Sequence, residues 1–550
     1  MKSMTPRSWI LLFAAIVAAG VFRSIVAYHG SLWADEGSFL NAIAAPTWCG
    51  MIQFLRTHES HPPLFYMVMR GWLQIAGEND RRLMLVPIIF AVAMVPVIYA
   101  VGRSLFGERV GLIAAGLAAV SPQLTEHSSQ IRPYGLLYIA AVISAGSLVR
   151  CLTSRTRTSW TLFVIATTAM LYTHNWAWMI VAGEGIAVLY VVHRSSSEER
   201  TRLIRNCLVA LFAVFVLYAP WLPSLVFQSR HAGHGSVPIE RLSEYIGFIV
   251  LSVFRMLEAL VIGRLGEKRV VAVAGLIAAL AATILMTLFY RSWPDKASKD
   301  SILATALNRL RAAILLRIAL FSLVAALIVS PFNNLILPRG VVTVAPLLLL
   351  AAARWFDMLI ARRMGLNQAR IGAIICCFAV VAACVENTSL ISRPRSNVGQ
   401  IANTVRMGEH SNDLLIVAPE WFAASFDHYF PASIEQIDYP YEGRSGMIDF
   451  TDIWENRIKS TAVKRIEKKI QEAYASNRRV WFVFERRYMR NFTPDEMDRA
   501  YRHKQPGAMS VRDVRHIRST LDSIYGPPII YEANKPLPIN DEMIAHLYGR

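Results

Sequence analysis

Charged residues are scarce in this sequence. Asp, Glu, Lys and Arg make up 17% of the 550 residues, whereas 54% are hydrophobic and the mean hydropathy is +0.37. A typical soluble domain has about 25% charged residues. The composition therefore excludes an ordinary soluble chain and predicts an integral membrane protein.

Cysteine is scarce as well, and the six cysteines form no recognisable pattern. Cys49 stands alone in a polar stretch, the other five lie within or beside apolar runs, and none follows Cys384. The sequence therefore offers no metal-type cysteine spacing and no disulfide framework.

Acidic residues are outnumbered by basic ones, 39 to 57, and the net charge is +18. Almost all of this excess lies before residue 393, in the same part of the chain as the long apolar runs. Short cytoplasmic loops between transmembrane helices are rich in Lys and Arg. The charge therefore indicates a membrane topology, and no nucleic-acid partner is expected.

Long apolar runs predict an all-α polytopic membrane domain over residues 1–390, with about eleven transmembrane helices. The predicted spans are 9–28, 83–102, 110–122, 134–152, 160–174, 177–192, 206–220, 270–290, 313–330, 341–356 and 371–387. The basic residues of the short loops place the N-terminus inside and the end of the last span outside. The first span also resembles a signal peptide, but its length favours an uncleaved helix.

Two long segments, 29–82 and 223–268, are predicted on the outer side. Within the second, residues 243–262 are apolar enough to span. Counting them as a span would move the basic loop at 296–317 to the outside, against the charge rule. They are therefore predicted to form an amphipathic helix in the membrane interface.

Residues 391–550 predict a small α/β domain on the extracytoplasmic side. Leu414–Ala418 and Val480–Phe484 are continuous apolar runs of β type, as buried strands require. Residues 461–476 and 511–525 have the amphipathic pattern of helices packed against such strands.

Unusual polar residues gather at the predicted outer ends of the spans. They are Asp35 with Glu36, the run 58–63, the run 126–134, and His174, and Arg339 follows at the predicted outer start of a late span. Any one of them could be an ordinary solvated loop residue. Because ionisable residues next to the membrane mark functional sites, the set predicts one site on the outer face.

An ordered set of short motifs carries a family resemblance. The motifs are Trp33-Ala-Asp35-Glu36, His61-Pro-Pro-Leu-Phe-Tyr66, Ser121-Pro122 with Arg132-Pro-Tyr134, Tyr172-Thr-His174, Tyr218-Ala-Pro-Trp221-Leu-Pro223 and Leu337-Pro338-Arg339. In order and spacing the chain resembles the GT-C class of membrane glycosyltransferases over roughly residues 5–360. Within that class it is similar to the bacterial branch of protein O-mannosyltransferases and lipid A aminoarabinose transferases.

The resemblance implies a GT-C fold in the bacterial plasma membrane and an inverting sugar transfer at its outer face. The implied donor is a sugar on polyprenyl phosphate, and the implied acceptor is a hydroxyl of a glycan, lipid or protein. Asp35 and Glu36 correspond to the catalytic acidic pair. The residues implied in binding the donor phosphate and sugar are His61, Arg81, Arg82, Glu126, Arg132, Tyr134, His174 and Arg339.

Three positions depart from the class, and one of them is Gly340, which follows Arg339 where the class commonly has a tyrosine. Met84 stands where the class has an arginine near the outer end of the second span, with Arg81 and Arg82 slightly upstream. Gln130 stands where many relatives have an acid, and Glu126 is the nearest carboxylate.

The donor chemistry explains the residue types. A leaving phosphate needs no general acid, but it needs charge stabilisation, which arginine supplies with matching geometry. The acceptor hydroxyl needs a base, and Asp35 is predicted to be that base in a direct displacement. Glu36 faces elsewhere because sequence neighbours do not share a helix face. Glu36 is expected to orient Asp35, to contact sugar hydroxyls, or to have a purely structural role such as a hydrogen bond to a loop amide.

Three residues, His58, Glu59 and His61, have side chains that suit a divalent metal. Their spacing matches no standard site, so no metal is assigned, and a divalent ion stays the alternative. His61 is predicted instead to precede a helix near the lipid phosphate. His174 could also belong to the interfacial aromatic belt, since tryptophans flank it.

Two other function classes remain open. A transporter or flippase of a lipid-linked or polar substrate would show inverted repeats and ionisable residues at the midplane. The sequence shows no such repeat, and its polar residues gather at one face. A non-catalytic assembly subunit is the third class. The sugar, the acceptor and the oligomeric state are not encoded in any motif.

Overall fold

The structure is a computed structural model. It describes residues 4–59, 61–154, 156–231, 299–329, 338–360, 383, 386–388, 390–392, 394–431, 433–441, 461–486, 506–532 and 542–549.

Helices dominate the described residues up to 360. They are α1 (Pro6–Tyr28), α2 (Ala34–Ile43), α3 (Trp48–His58), α4 (Leu64–Ala76), α5 (Asp80–Leu83), α6 (Leu85–Phe106), α7 (Glu108–Val120), α8 (Pro122–Ser128), α9 (Tyr134–Thr153), α10 (Arg157–Thr173), α11 (Ala177–Arg194), α12 (Ser197–Tyr218), α13 (Leu222–His231), α14 (Lys299–Val329), α15 (Pro338–Val341) and α16 (Ala345–Ile360).

Six helical segments of the described chain are long and apolar enough to cross a membrane. They are Pro6–Tyr28, Asp80–Phe106, Tyr134–Thr153, Ala177–Arg194, Ser197–Ser229 and Ala306–Val329. Each coincides with a predicted span, and α7, α10 and α16 are shorter helices where three further spans are predicted. The predictions at 243–262, at 270–290 and over nearly all of 371–387 lie outside the described residues. The count of eleven spans therefore stays a prediction.

Helix α1 shows how local sequence sets a span. Thr5 caps it by accepting a hydrogen bond from the Ser8 amide at 3.2 Å, and Pro6 occupies the first turn. Its apolar residues Trp9 and Phe13 are each more than half exposed. Such an exposed apolar face suits a lipid solvent.

Buried Arg23 near the C-terminal end of α1 ties three helices together. Its guanidinium donates to the carbonyl oxygens of Ala91 on α6, at 2.5 Å, and Ala118 on α7, at 2.9 Å. A charge at this depth is costly unless backbone carbonyls satisfy it. The contact therefore fixes the position at which α1 leaves the bundle toward α2.

The predicted outer segment 29–82 is folded into the four short helices α2 to α5. Arg70 on α4 donates to the carbonyl oxygens of Ile43, at 2.7 Å, and Ala45, at 2.5 Å. These carbonyls belong to the end of α2, where the backbone acceptors have no partner within the helix. Arg70 thus holds α2 in place from its C-terminal end.

The C-terminal part is an α/β unit, as predicted. Its strands are β1 (Leu414–Ala418), β2 (Glu435–Asp438), β3 (Val480–Glu485), β4 (Ile529–Tyr531) and β5 (Met543–Tyr548), and its helices include α17 (Val398–Gly408), α18 (Ala423–Tyr429), α19 (Thr461–Ala475) and α20 (Pro506–Tyr525).

The sheet has the strand order β2-β1-β3-β5-β4. Strand β1 runs parallel to β2 and β3, while β5 runs antiparallel to β3 and β4. Every residue of β1 and β3 is buried, which confirms the two strands predicted from continuous apolar runs. Ala34 of α2 belongs to the same buried apolar cluster as this sheet, so the α/β unit packs directly against the segment that carries the predicted acidic pair.

Candidate active site

The two adjacent acids at the start of α2 have different surroundings. The Asp35 side chain is 29% exposed, whereas Glu36 is fully buried. The Glu36 carboxylate accepts a hydrogen bond from the Trp33 amide at 3.2 Å. This contact caps the N-terminus of α2. The two carboxylates therefore face apart, in agreement with the helix geometry used in the prediction.

Asp35 lies beside Arg132, which comes from the loop before α9. The Arg132 Nη2 atom is 3.8 Å from the Asp35 carboxylate, and Nη1 donates to the Asp35 carbonyl oxygen at 3.3 Å. Arg132 is 4% exposed, and its Nε atom has no hydrogen-bond partner among the described residues. A buried donor without a partner is rare in a folded protein.

The Arg132 guanidinium remains protonated and positively charged. Burial lowers the pKa of Arg132, but the Asp35 carboxylate, Tyr66, Tyr134 and Glu59 raise it by more, so this pKa lies above its ordinary value. The guanidinium is therefore a permanent cation beside Asp35.

Two histidines complete the cluster. The Trp176 amide donates to His174 Nδ1 at 3.0 Å, and His61 Nδ1 lies 2.9 Å from Glu59 Oε1. We assign the ring protons from these contacts, to Nε2 of His174 and to Nδ1 of His61. His174 then donates to His61 Nε2 at 3.2 Å, and Arg132 Nη2 lies 3.4 Å from the same nitrogen.

Tyr134 forms the aromatic wall of the cluster. It is 1% exposed, and its ring centroid lies 5.6 Å from that of His174. The structure thus brings together five of the residues singled out in the sequence: Asp35, His61, Arg132, Tyr134 and His174.

The other four candidates are Arg81, Arg82, Glu126 and Arg339. Arg82 donates to the Ala76 carbonyl oxygen at 3.0 Å, Arg81 is exposed on α5, and no contact within the described chain joins either to Arg132. Glu126 is partly exposed on α8. The Arg339 backbone lies in α15, and its side chain is outside the described residues.

The candidate metal ligands do not form one group. His58 Nδ1 lies 2.6 Å from the Thr57 hydroxyl, and its ring stacks on Phe54. Glu59 pairs with His61 instead. Within the described ranges, no three His, Cys, Asp or Glu side chains are arranged to hold a metal ion, and the metal question stays a prediction.

Arg395 is the residue that the sequence did not single out. Its guanidinium lies 2.5 and 2.6 Å from the two Glu36 oxygens, and the Ile131 amide donates to the same carboxylate at 2.8 Å. Burial raises the pKa of Glu36, while Arg395 and the amides of Ile131 and Trp33 oppose that rise. These contacts favour the structural role foreseen for Glu36. A usable signal existed, since Arg393 and Arg395 follow the last predicted span on the side where arginine is depleted.

A helical bundle with an acidic residue beside a buried Arg–His cluster, drawn from three separate segments of the chain, is the arrangement that the resemblance to the GT-C class implies. Residues 60–223 match the family model described as dolichyl-phosphate-mannose-protein mannosyltransferase. The structure is similar to the crystal structure of ArnT from Cupriavidus metallidurans bound to undecaprenyl phosphate, with a TM-score of 0.53 at 12% identity, over 99% of this chain and 98% of that one.

A second solved structure is similar as well. It is the oligosaccharyltransferase AglB from Archaeoglobus fulgidus, in complex with an inhibitory peptide and a dolichol-phosphate, with a TM-score of 0.50 at 11% identity, over 96% of this chain and 74% of that one. A search of curated proteins by sequence gave no match. The solved structures show a shared fold, and together with the family match over residues 60–223 they confirm the resemblance of this chain to the GT-C class.

Proposed function

We propose that this protein is an inverting glycosyltransferase that moves a sugar from polyprenyl phosphate to an acceptor hydroxyl at the outer membrane face. One observation carries the proposal. The partly exposed Asp35 carboxylate lies 3.8 Å from buried Arg132, whose Nε atom has no hydrogen-bond partner among the described residues. A base and a phosphate-binding cation are thus adjacent.

The Arg–His cluster suits the phosphate of the donor. Arg132 and His174 both direct N–H groups at His61 Nε2, and a phosphate oxygen is a stronger acceptor for such donors. Glu59 Oε1 lies 2.9 Å from His61 Nδ1, the ring nitrogen that does not face Arg132 and His174. This contact orients the ring. The solved structures of ArnT and AglB contain undecaprenyl phosphate and dolichol-phosphate respectively, which supports a donor of this kind.

The reaction needs one base and no general acid. Asp35 takes the proton of the acceptor hydroxyl while the hydroxyl oxygen attacks the anomeric carbon. The bond from that carbon to the phosphate oxygen breaks, and its electron pair leaves with polyprenyl phosphate. Arg132 stabilises the charge that develops on the phosphate. Because attack and departure occur on opposite faces, the sugar configuration inverts.

No metal is required by this scheme. The cation that the leaving phosphate needs is supplied by Arg132, with Arg81, Arg82 and Arg339 as further candidates from the family resemblance. Tyr134 and Glu126 are proposed to contact the sugar. The acceptor would be a glycan, lipid or protein hydroxyl.

We place the protein in a bacterial plasma membrane, with eleven spans in residues 1–390 and residues 391–550 on the extracytoplasmic side. The distribution of Lys and Arg supports this orientation. The packing of the α/β unit against α2, through Ala34, supports placing this unit on the same side as the site.

A transfer assay tests the function. Membranes containing the wild type are incubated with a panel of polyprenyl-phosphate sugars, and Asp35→Asn is compared with it. The variant is nearly isosteric but cannot take the proton, so turnover should fall by roughly 10²–10⁴. Glu198→Gln, an exposed acid at the predicted inner end of α12, is the matched control. Equal turnover in Asp35→Asn and wild type, or a product of retained configuration, would contradict the mechanism.

A further inference from the structure

The buried Glu36 carboxylate joins three segments of the chain. It accepts from the Trp33 amide at the start of α2, from the Ile131 amide, and from Arg395, whose side chain is 9% exposed. Asp35 directly precedes Glu36 in the first of these segments, and Arg132 directly follows Ile131 in the second. The Glu36 carboxylate therefore fixes the position of Asp35, the proposed base, relative to Arg132, the proposed phosphate-binding cation.

A buried carboxylate needs a partner to stay in place. Two amides alone do not offset the loss of water around a full negative charge, and removing one member of a buried ion pair leaves the other charge uncompensated. Arg395 supplies the compensating cation. The junction of the first two segments thus depends on a residue of the C-terminal region.

Backbone hydrogen bonds to the chain between α1 and α2 fix the segment that carries Arg395. Its amide donates to the His29 carbonyl oxygen at 3.0 Å, and the Ser31 amide donates to the Ser396 carbonyl oxygen at 3.1 Å. The Gly399 amide donates to the Ser31 hydroxyl at 3.0 Å. The chain between α1 and α2 is therefore paired with the segment that presents Arg395.

Helix α18 also packs against α2. A Cβ atom on Gly37 would overlap the backbone of Ser425, so the two helices touch without any side chain between them. Tyr429 accepts from the Leu32 amide at 2.9 Å and donates to Asp80 at 2.7 Å. The C-terminal unit thus contacts α2, the segment that precedes it and α5.

We infer that Arg395 is a positioning residue for sugar transfer, and that the C-terminal unit acts in the reaction by holding the Glu36 junction. Arg395 neutralises Glu36, and Glu36 sets Asp35 at its distance from Arg132. The inference rests on the proposed transfer reaction and adds a role for the C-terminal unit within it.

Three variants test this role. Arg395→Met should lower turnover by about 10²-fold, the usual effect of a small displacement of reacting groups. Arg395→Lys, which keeps the charge, should recover part of that loss. Adding Glu36→Gln to Arg395→Met should also recover part of it, because the unpaired buried charge is gone. Additive losses in the double variant would overturn the inference.

A matched control separates positioning from general damage to the C-terminal unit. Arg479→Met breaks an ion pair with Asp413, at 2.7 Å, within that unit, and should leave turnover near the wild-type value. Equal losses in Arg479→Met and Arg395→Met would overturn the inference.

Hydrogen exchange supplies a readout independent of transfer. In the full-length protein, the amides of residues 29–43 should exchange faster in Arg395→Met than in the wild type. In Arg479→Met their exchange rates should equal those of the wild type. Unchanged exchange in Arg395→Met would overturn the inference even if the wild type transfers sugar. Faster exchange in a protein whose wild type uses no donor would support the junction and contradict the proposed reaction instead.

Discussion

The Nε2 atoms of His61 and His174 lie 3.2 Å apart, although 113 positions separate the two residues in the chain. Two ring nitrogens at this distance share one proton, because two N–H groups facing each other would repel. Arg132 lies against the same His61 nitrogen. An entering phosphate oxygen could therefore take over both donors at once.

The orientation of the membrane domain gives a first prediction. Alkaline phosphatase fused after Asn387 should be active, because the Arg-rich loops place that point outside. Phosphatase activity of cells carrying the fusion measures this. A fusion after Arg200, in a predicted inner loop, is the control and should be inactive. The reverse pattern would refute the eleven-span topology.

The contact between α2 and α18 gives a second prediction. Gly37→Ala should force the two helices apart, because its methyl group would overlap the Ser425 backbone. Turnover should fall by about 10²-fold, with a lower melting temperature of the purified protein. Gly116→Ala on α7, where nothing lies within 4 Å of the added methyl group, should change neither. Normal turnover in Gly37→Ala would mean that α2 does not need this contact.

The C-terminal sheet should have a pH-dependent stability. Burial of His546 on β5, helped by Arg518, lowers its pKa from 6.5 to about 4. As the pH falls, the unfolded chain is protonated at His546 before the folded chain. The contribution of His546 to the free energy of unfolding is therefore fully present above pH 6.5. It is lost as the pH falls toward 4, by up to about 3 kcal/mol. Exchange protection of β3 and β5 amides at pH 7.5 and 5 measures this loss.

The control for that experiment is His546→Phe. The His546 ring lies edge-on to Phe484 at 4.9 Å, so an aromatic ring fits the space without a titrating group. Protection in this variant should depend less on pH. An unchanged pH dependence would assign the effect to another group.

Much of the candidate site could be predicted from the sequence, for a physical reason. Asp35, His61, Arg132 and His174 all lie at helix ends of one predicted side, and a bundle brings such ends together. The opposite directions of Asp35 and Glu36 followed from helix geometry alone. Strands β1 and β3 were predictable because a buried strand leaves a continuous apolar run.

The remaining features have no local signature. Arg395 and Glu36 are 359 positions apart, and neither residue type nor spacing encodes their pairing. Strand β5 contains the polar His546 within its buried run Met543–Tyr548, so periodicity does not distinguish it. The C-terminal unit can pack on α2 only because Gly37 has no side chain. In the sequence, nothing distinguishes this glycine from the other glycines of the chain.

Arg132 gives the last prediction, because it links the donor to the base. Arg132→Ala should lower kcat/KM for the polyprenyl-phosphate sugar by roughly 10²–10³, the usual loss when one charge-stabilising donor is removed. Arg132→Lys should recover only part of this, since an ammonium group lacks the paired geometry of guanidinium toward phosphate. Binding of the polyprenyl phosphate alone, measured with purified protein, should weaken in the same order. Arg200→Ala is the matched control, because Arg200 is exposed at the predicted inner end, and among the described residues its guanidinium donates to nearby carbonyl oxygens, at 3.3 to 3.5 Å. If Arg132→Ala binds and uses the donor as the wild type does, the unpartnered Nε atom serves some other ligand, and the phosphate must lie elsewhere in the site.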